Sequence, residues 1–220
     1  MKILAITDIH SSIVNVKKLV NTIHHIDLIA VIGDISHFGP FKRAIQILRL
    51  LTRIGVPVFF VPGNCDPPSL LQWEDLEQNI FNLHGRNRKF REFFFAGVGG
   101  SIISPFRTLI EFSEEEYSKI LNNAIRHLDD LSKLILIAHN PPYNTRLDLI
   151  RNNIHVGSLS VRKFVEEKQP LLLVTGHIHE SRGVDQIGRT KMVNPGPLKW
   201  GYYALVNVND EKVDIFLEKI

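Results

Sequence analysis

Short unbroken apolar runs alternate along the chain with longer stretches in which apolar residues recur every three or four positions. Residues 2–7 read as a buried strand, residues 13–26 carry helical spacing after Ser11 and Ser12, and residues 27–32 read as a second strand. Residues 40–54 repeat the helical spacing with Gly55 as a stop, and residues 57–61 form a third strand before Pro62-Gly63. Strands that alternate with helices pair in parallel, because each crossover returns the chain to the same end of the sheet. Beyond Trp73 the pattern weakens, but residues 92–96 read as a strand and Gly97-Val98-Gly99-Gly100-Ser101 as a loop. Ser113-Glu114-Glu115-Glu116 has the form of a capping box opening a helix that runs to about Leu128. Later strands are expected at 134–138, 171–175, 190–193, 202–208 and 212–217, with a helix at 159–168. A hairpin around Asn209-Asp210 adds antiparallel pairing, so a mixed, two-sheet α/β layering fits better than an all-parallel sheet.

Five apolar runs end in polar motifs: Asp8-Ile9-His10, Gly33-Asp34, Gly63-Asn64-Cys65-Asp66, His139-Asn140 and Gly176-His177-Ile178-His179. In an extended segment residues i and i+2 face the same side, so Asp8 and His10 reach one ion together while Ile9 points into the core. Asp34 ends the second strand, and its two oxygens suit it to bridge two cations, as an imidazole does not. Asn64, His139, His177 and His179 also stand just past strand-like runs, the edge where α/β sheets collect their sites. Carboxylate, imidazole and amide oxygen together form a donor set for two divalent ions, a standard device for hydrolysing phosphate esters. Two such ions bring about +4, which Asp8, Asp34 and a bridging hydroxide reduce to about +1. A phosphodiester monoanion neutralises that remainder and a monoester dianion also fits, so the count indicates phosphate-like substrates without choosing between them.

Composition changes this picture little. Apolar residues at 44% and charged residues at 22% exclude disorder and fibrous repeats, and 220 residues bury a full core as one domain, residues 1–220. The 26 basic against 23 acidic residues give +3 with no basic stripe or aromatic series, so nothing marks a nucleic-acid surface, although a nuclease stays open as a special diesterase. A single cysteine excludes an internal disulfide framework. Met1 leads straight into the first strand without a secretory signal, and no apolar run approaches the roughly 18 residues that span a bilayer. A cytoplasmic protein with no membrane partner is therefore expected, and assembly into a homo-oligomer is left open.

Taken together, the five motifs resemble the calcineurin-like metallophosphoesterase superfamily, over Lys2 to about Tyr203. Gly99-Gly100-Ser101, Ser113-Glu114-Glu115-Glu116, His155-Val156-Gly157-Ser158 and Asn194-Pro195-Gly196 look more narrowly like its small single-domain prokaryotic members. The resemblance implies a two-layer mixed β-sandwich flanked by helices. It implies Asp8, His10, Asp34 and His179 on one metal ion and Asp34, Asn64, His139 and His177 on the other. It also implies manganese, iron, zinc or nickel, a choice that ligand types alone do not make. The superfamily often has histidine where this chain has Cys65, and that histidine protonates the leaving group alongside a following acid, here Asp66. A thiol of ordinary pKa, about 8.5, donates a proton only in an altered setting. Small phosphodiesterases of the superfamily also carry cysteine there, and His155 is a second candidate acid.

The expected function is dimetal-dependent hydrolysis of small phosphate esters, phosphodiesters first, by attack of metal-bound hydroxide. Asp34, Asn64, Cys65, Asp66 and His155 are its candidate catalytic residues. Phosphomonoester or nucleotide pyrophosphate hydrolysis is the rival within enzymes, and a metal-binding scaffold without turnover is the rival outside them. Full retention of the ligand set argues against the scaffold. His24, His25, His84 and His127 fall outside the pattern as surface or packing residues, while His37 is a candidate to support a ligand. Arg146, Arg151 and Arg162 flank His155 and are weighed between phosphate contact and surface solvation. The 97–101 segment lacks the Gly-Lys-Ser or Gly-Lys-Thr of a P-loop and reads as a tight turn, and Asn194-Pro195-Gly196-Pro197 as a rigid one.

Overall fold

The computed structural model describes residues 1–73, 79–209 and 212–220. Strand β1 (Lys2–Ile6), helix α1 (Ile13–Thr22), β2 (Leu28–Ile32), α2 (Phe41–Leu51) and β3 (Val58–Val61) form the parallel opening, which β4 (Ile80–Asn82) extends. β2 and β3 are apolar at every position because both faces are covered. Leu4, Ile6, Ile29, Val31, Val58 and Phe60 pack under the two helices, while Ile3, Ala5, Leu28, Ala30, Ile32, Phe59 and Val61 face the opposite way. That alternation is the period of a pleated strand.

The chain then crosses to a second sheet through β5 (Asn87–Phe90) and β6 (Phe93–Val98), followed by the short parallel pair β7 (Ser101–Ile102) and β8 (Glu111–Phe112). Helix α3 (Glu114–Ala124), β9 (Leu134–Ala138), the two-residue ladder of β10 (Leu149–Ile150) and β11 (Ile154–His155), α4 (Leu159–Lys168) and β12 (Leu172–Val174) come next. The hairpin of β13 (Gly183–Ile187) with β14 (Thr190–Asn194) completes the second sheet, and that of β15 (Tyr202–Val208) with β16 (Val213–Lys219) returns to the first beside β1. One sheet runs β16-β15-β1-β2-β3-β4 and the other β13-β14-β12-β9-β6-β5. Ile135, Ile137, Leu172 and Val174 meet the first sheet, and Leu134, Leu136, Leu173 and Met192 pack with Tyr117, Leu121, Phe164 and Val165 of α3 and α4. The result is a mixed α/β sandwich of two sheets with helices on both outer faces. Among the described residues no helix is long and apolar enough to cross a membrane.

Several element limits differ from expectation. α1 stops at Thr22, yet Ile23 and Ile26 remain buried, so the apolar spacing continues in a chain that has already turned toward the sheet. The same holds for α3: its capping box forms as read, with Ser113 accepting from Glu116 N–H, but the helix ends at Ala124 rather than near Leu128. Gly97 and Val98 belong to β6 and Ser101 to β7, which corrects the loop reading of 97–101 to a turn at Gly99-Gly100. The late hairpin pairs as expected, while Asp210 of its turn lies outside the described residues.

Candidate metal centre

The carboxyl ends of the parallel strands in both sheets meet at one edge, and backbone hydrogen bonds tie the segments leaving them. Asp8 N–H donates to the Gly33 carbonyl at 3.1 Å, His10 N–H to the Asp34 carbonyl at 2.8 Å, and Gly176 N–H to the His139 carbonyl at 3.1 Å. Glycine precedes Asp34, Asn64 and His177 because the backbones touch there. A Cβ on Gly33 would sit 2.7 Å from the Gly63 Cα and against the His139 ring, one on Gly63 would strike Asp34, and one on Gly176 would strike Thr7. Asp8, His10, Asp34 and His177 themselves adopt left-handed backbone, with φ of 51°, 44°, 47° and 66°. Such conformations are costly for these residues and collect at functional sites.

This arrangement brings the seven predicted ligands into one buried cluster. His10 Nε2 lies 3.1 Å from His179 Nε2, and both face Asp8 Oδ1, at 3.8 and 3.2 Å. Asp34 stands between two histidines, with Oδ2 3.6 Å from His10 Nε2 and Oδ1 3.6 Å from His139 Nε2. Asn64 Oδ1 is 3.0 Å from His139 Nε2, and the His177 ring centroid is 5.1 Å from that of His139. His139 Nδ1 lies 2.7 Å from the Ile32 carbonyl, an acceptor that requires the hydrogen on Nδ1. In the neutral ring Nε2 therefore carries a lone pair, which faces the oxygens of Asn64 and Asp34. Converging lone pairs from imidazole, amide and carboxylate call for a shared cation, so the residues present fit a divalent metal pair.

The electrostatics favour the neutral imidazoles and the Asp8 carboxylate but work against the charged form of Asp34. Burial pushes His10 down to about 3, against the pull of Asp8 and helped by Lys199. Burial likewise pushes His177 down to about 3, aided by His139. Burial raises Asp34 to about 6 despite attraction from His139, with Asp8 and Asp66 adding repulsion. Asp8 is also buried, but the hydrogen bond from His179 and the neighbouring histidines outweigh that and hold its carboxyl below the usual range.

The sequence profile of the calcineurin-like phosphoesterases matches residues 1–181. The chain belongs to the calcineurin-like phosphoesterase family. It is accordingly a metal-dependent phosphoric ester hydrolase. This phosphoesterase is 36% identical over 209 residues to an uncharacterized protein of Methanocaldococcus jannaschii, covering 92% of this chain and 91% of the relative. Its fold is similar to TT1561 of Thermus thermophilus, with a TM-score of 0.76 and 23% identity over 98% of this chain and 97% of that one. It is also similar to the phosphopantetheinyl hydrolase of Mycobacterium tuberculosis, with a TM-score of 0.62 and 15% identity over 90% and 91% of the two chains.

In this phosphoesterase the remaining candidates fall in distinct places. Cys65 is buried and donates its backbone N–H to Asp34 Oδ1 at 2.8 Å, while burial and the Asp34 charge push its thiol well above the ordinary range. Its Sγ lies within 4.8 Å of ring nitrogens of His10 and His37. Asp66 turns inward, where its oxygens accept from the backbone N–H groups of Gly63, Ile35 and Ser36 and from the Ser36 hydroxyl. His155 lines a cleft of about 1020 Å³ that also reaches Asn64, His177 and His179. His37 Nδ1 lies 3.1 Å from His10 Nδ1. His84 packs in the body of the protein, accepting from Gly99 N–H and stacking on Phe112. Arg162 is engaged with Glu166 and the Asn144 carbonyl, Arg146 donates its backbone N–H to Asp185, and Arg151 lines the cleft.

Three supporting residues went unread in the sequence. Thr7 donates its hydroxyl to Asp8 Oδ2 or Ile32 O, 2.7 and 2.8 Å away, and was hidden inside the first apolar run. Asn194 donates its side-chain amide to the Ile178 carbonyl between His177 and His179, a role beyond the turn that its neighbours suggested. Asp148 lies 2.7 Å from His155 Nδ1, and nothing in the spacing of the two residues announced the pair.

Proposed function

We propose that this phosphoesterase hydrolyses phosphodiesters at a binuclear centre in which Asp34 is shared between two divalent ions. Asp8, His10, Asp34 and His179 would hold one ion, and Asp34, Asn64, His139 and His177 would hold the other. The observation that carries this reading is the position of Asp34, with one carboxylate oxygen 3.6 Å from His10 Nε2 and the other 3.6 Å from His139 Nε2. When bound, such an ion pair supplies Lewis acidity toward phosphoryl oxygens and an activated water.

The chain's own groups do the rest. The Ile32 carbonyl fixes the His139 tautomer, and the Cys65 N–H fixes one oxygen of Asp34. Asp66 acts as a positioning residue, since its carboxylate clamps the backbone before Asn64 to the backbone after Asp34. The substrate lies in the cleft beside Asn64, His177 and His179, whose volume of about 1020 Å³ has room for the two ester arms of a phosphodiester. Asp148 occupies His155 Nδ1, so Nε2 is the nitrogen left to deliver a proton to the leaving oxygen.

The test is elemental analysis of protein purified without chelators, together with rates on 4-nitrophenyl diesters, 4-nitrophenyl monoesters and nucleotides, with manganese, iron, zinc and nickel compared. Two bound ions per chain and faster turnover of diesters are expected. No retained cation under any loading condition overturns the binuclear centre, and a preference for monoesters or nucleotides overturns the diester assignment.

A further inference from the structure

We infer that the natural substrate carries a hydrocarbon chain and that the cleft beside the metal ligands holds it, an inference that rests on the phosphoesterase reading above. Large apolar side chains stand open along this cleft: Phe106 is 87% exposed, Ile103 68% and Leu159 59%. Together with Pro105, Ile150 and Ile178 they line the same cleft as the segment 177–179. Exposed apolar surface gathered in a concave site marks ligand recognition, whereas scattered single residues do not.

The wall is braced. Leu109 and Ile110 donate their N–H groups to the Asn64 carbonyl at 3.0 and 3.2 Å, which ties the segment bearing Ile103 and Phe106 directly to a metal-ligand residue. Behind it, Glu111 accepts the hydroxyls of Ser104 and Thr108, both at 2.7 Å, and the Thr108 N–H at 2.9 Å. A preformed wall spends little of its binding energy on ordering loops.

The polar groups on the wall that bears Ile103 and Phe106 are already engaged, while Arg151, Tyr143, His155 and Glu180 line other parts of the cleft. The Ser104 and Thr108 hydroxyls are on Glu111, Glu114 accepts from Ser158 and Ser160, and Asn140 bonds Ile102 N–H and the Pro141 carbonyl. A nucleoside laid against Ile103 and Phe106 would find no hydrogen-bond partner in those side chains for its hydroxyls and base edges. A polymethylene chain has no such groups, and each methylene fully withdrawn from water tightens binding about fourfold.

The experiment uses the full chain loaded with manganese and a series of alkyl 4-nitrophenyl phosphodiesters from methyl to dodecyl, all below their micellar concentrations. Calorimetric binding of dodecylphosphonate and methylphosphonate is measured alongside. The expected result is a rise in kcat/KM of at least about tenfold from butyl to dodecyl, a matching preference for dodecylphosphonate, and a flatter dependence in Phe106→Ser and Ile103→Ser. Equal kcat/KM across the series with equal phosphonate binding overturns the hydrocarbon inference and leaves ester hydrolysis standing. A chain-length dependence unchanged in both variants overturns the assignment to this wall. Turnover of no ester, with dodecylphosphonate still preferred, overturns the hydrolytic reading and supports the hydrocarbon preference of the cleft.

Discussion

The buried carboxylate of Asp148 holds the Nδ1 of His155 at 2.7 Å while also accepting the N–H groups of Asn144, Thr145 and Gly157. A carboxylate so anchored fixes the ring it touches, and leaves Nε2 for the cleft. His155→Ala is expected to slow hydrolysis of unactivated alkyl esters by about a hundredfold or more while changing rates on 4-nitrophenyl esters little, because nitrophenolate leaves without a proton. Rates on the two ester types measured side by side check this, and an equal loss on both removes His155 from leaving-group protonation.

Asp34→Asn keeps the shape of the side chain proposed to bridge the two ions and removes its charge. Bound metal is expected to fall below two ions per chain, and kcat/KM to drop by at least about a hundredfold, beyond the usual effect of losing a group behind a ligand. Elemental analysis after dialysis, paired with steady-state kinetics, measures both. Wild-type turnover in this variant would trace the activity to a contaminant.

Gly33 has φ of 77° and no room for a Cβ between Gly63 and His139. Backbone strain and overpacking therefore act together, and Gly33→Ala is expected to cost roughly 2–5 kcal/mol. Gly55, at φ 88° with open space around it, is the internal comparison, and Gly55→Ala is expected to cost about 1 kcal/mol. Denaturant midpoints of the two variants at equal slope give the difference. Equal costs would refute the close approach of the two strand ends.

His84 is held down to about 4 from its ordinary 6.5, by burial first and then by Arg86, and its Nδ1 accepts the Gly99 N–H. Between those values the unfolded chain binds the proton that the folded chain refuses. Stability from this residue is thus full above pH 6.5 and falls as pH drops toward 4, by about 3 kcal/mol. Urea unfolding of wild type and His84→Gln across that window reads it, and parallel pH profiles would sink the assignment.

Legibility in the sequence followed burial. β2, β3 and β9 were plain because strands covered on both faces become unbroken apolar runs. The candidate ligands were plain because each stands at or just past such a run, three of them directly after a glycine that close backbones demand. β5, with the sequence NRKF, and β13, with GVDQI, lie at sheet edges with much of their length exposed, so their polar residues gave no strand signal. β4 is three residues long, too short for a period to emerge. Asp66 was visible as an acid, but its direction was not, since only the turn geometry sends it inward to Ile35 and Ser36. The apolar cleft wall was invisible for a related reason: Ile103, Phe106 and Leu159 look like core residues until the fold leaves them in the open.

His10 and His179 face each other at 3.1 Å across 169 positions of sequence, and Asn64 meets His139 across 75. During synthesis, therefore, no growing chain that stops short of His179 presents a complete cage, however well its first strands have already folded. On the proposed ligand set, metal acquisition becomes a late event, and chains terminated before His179 lack the power to sequester a full pair of ions or to release uncontrolled hydrolytic activity.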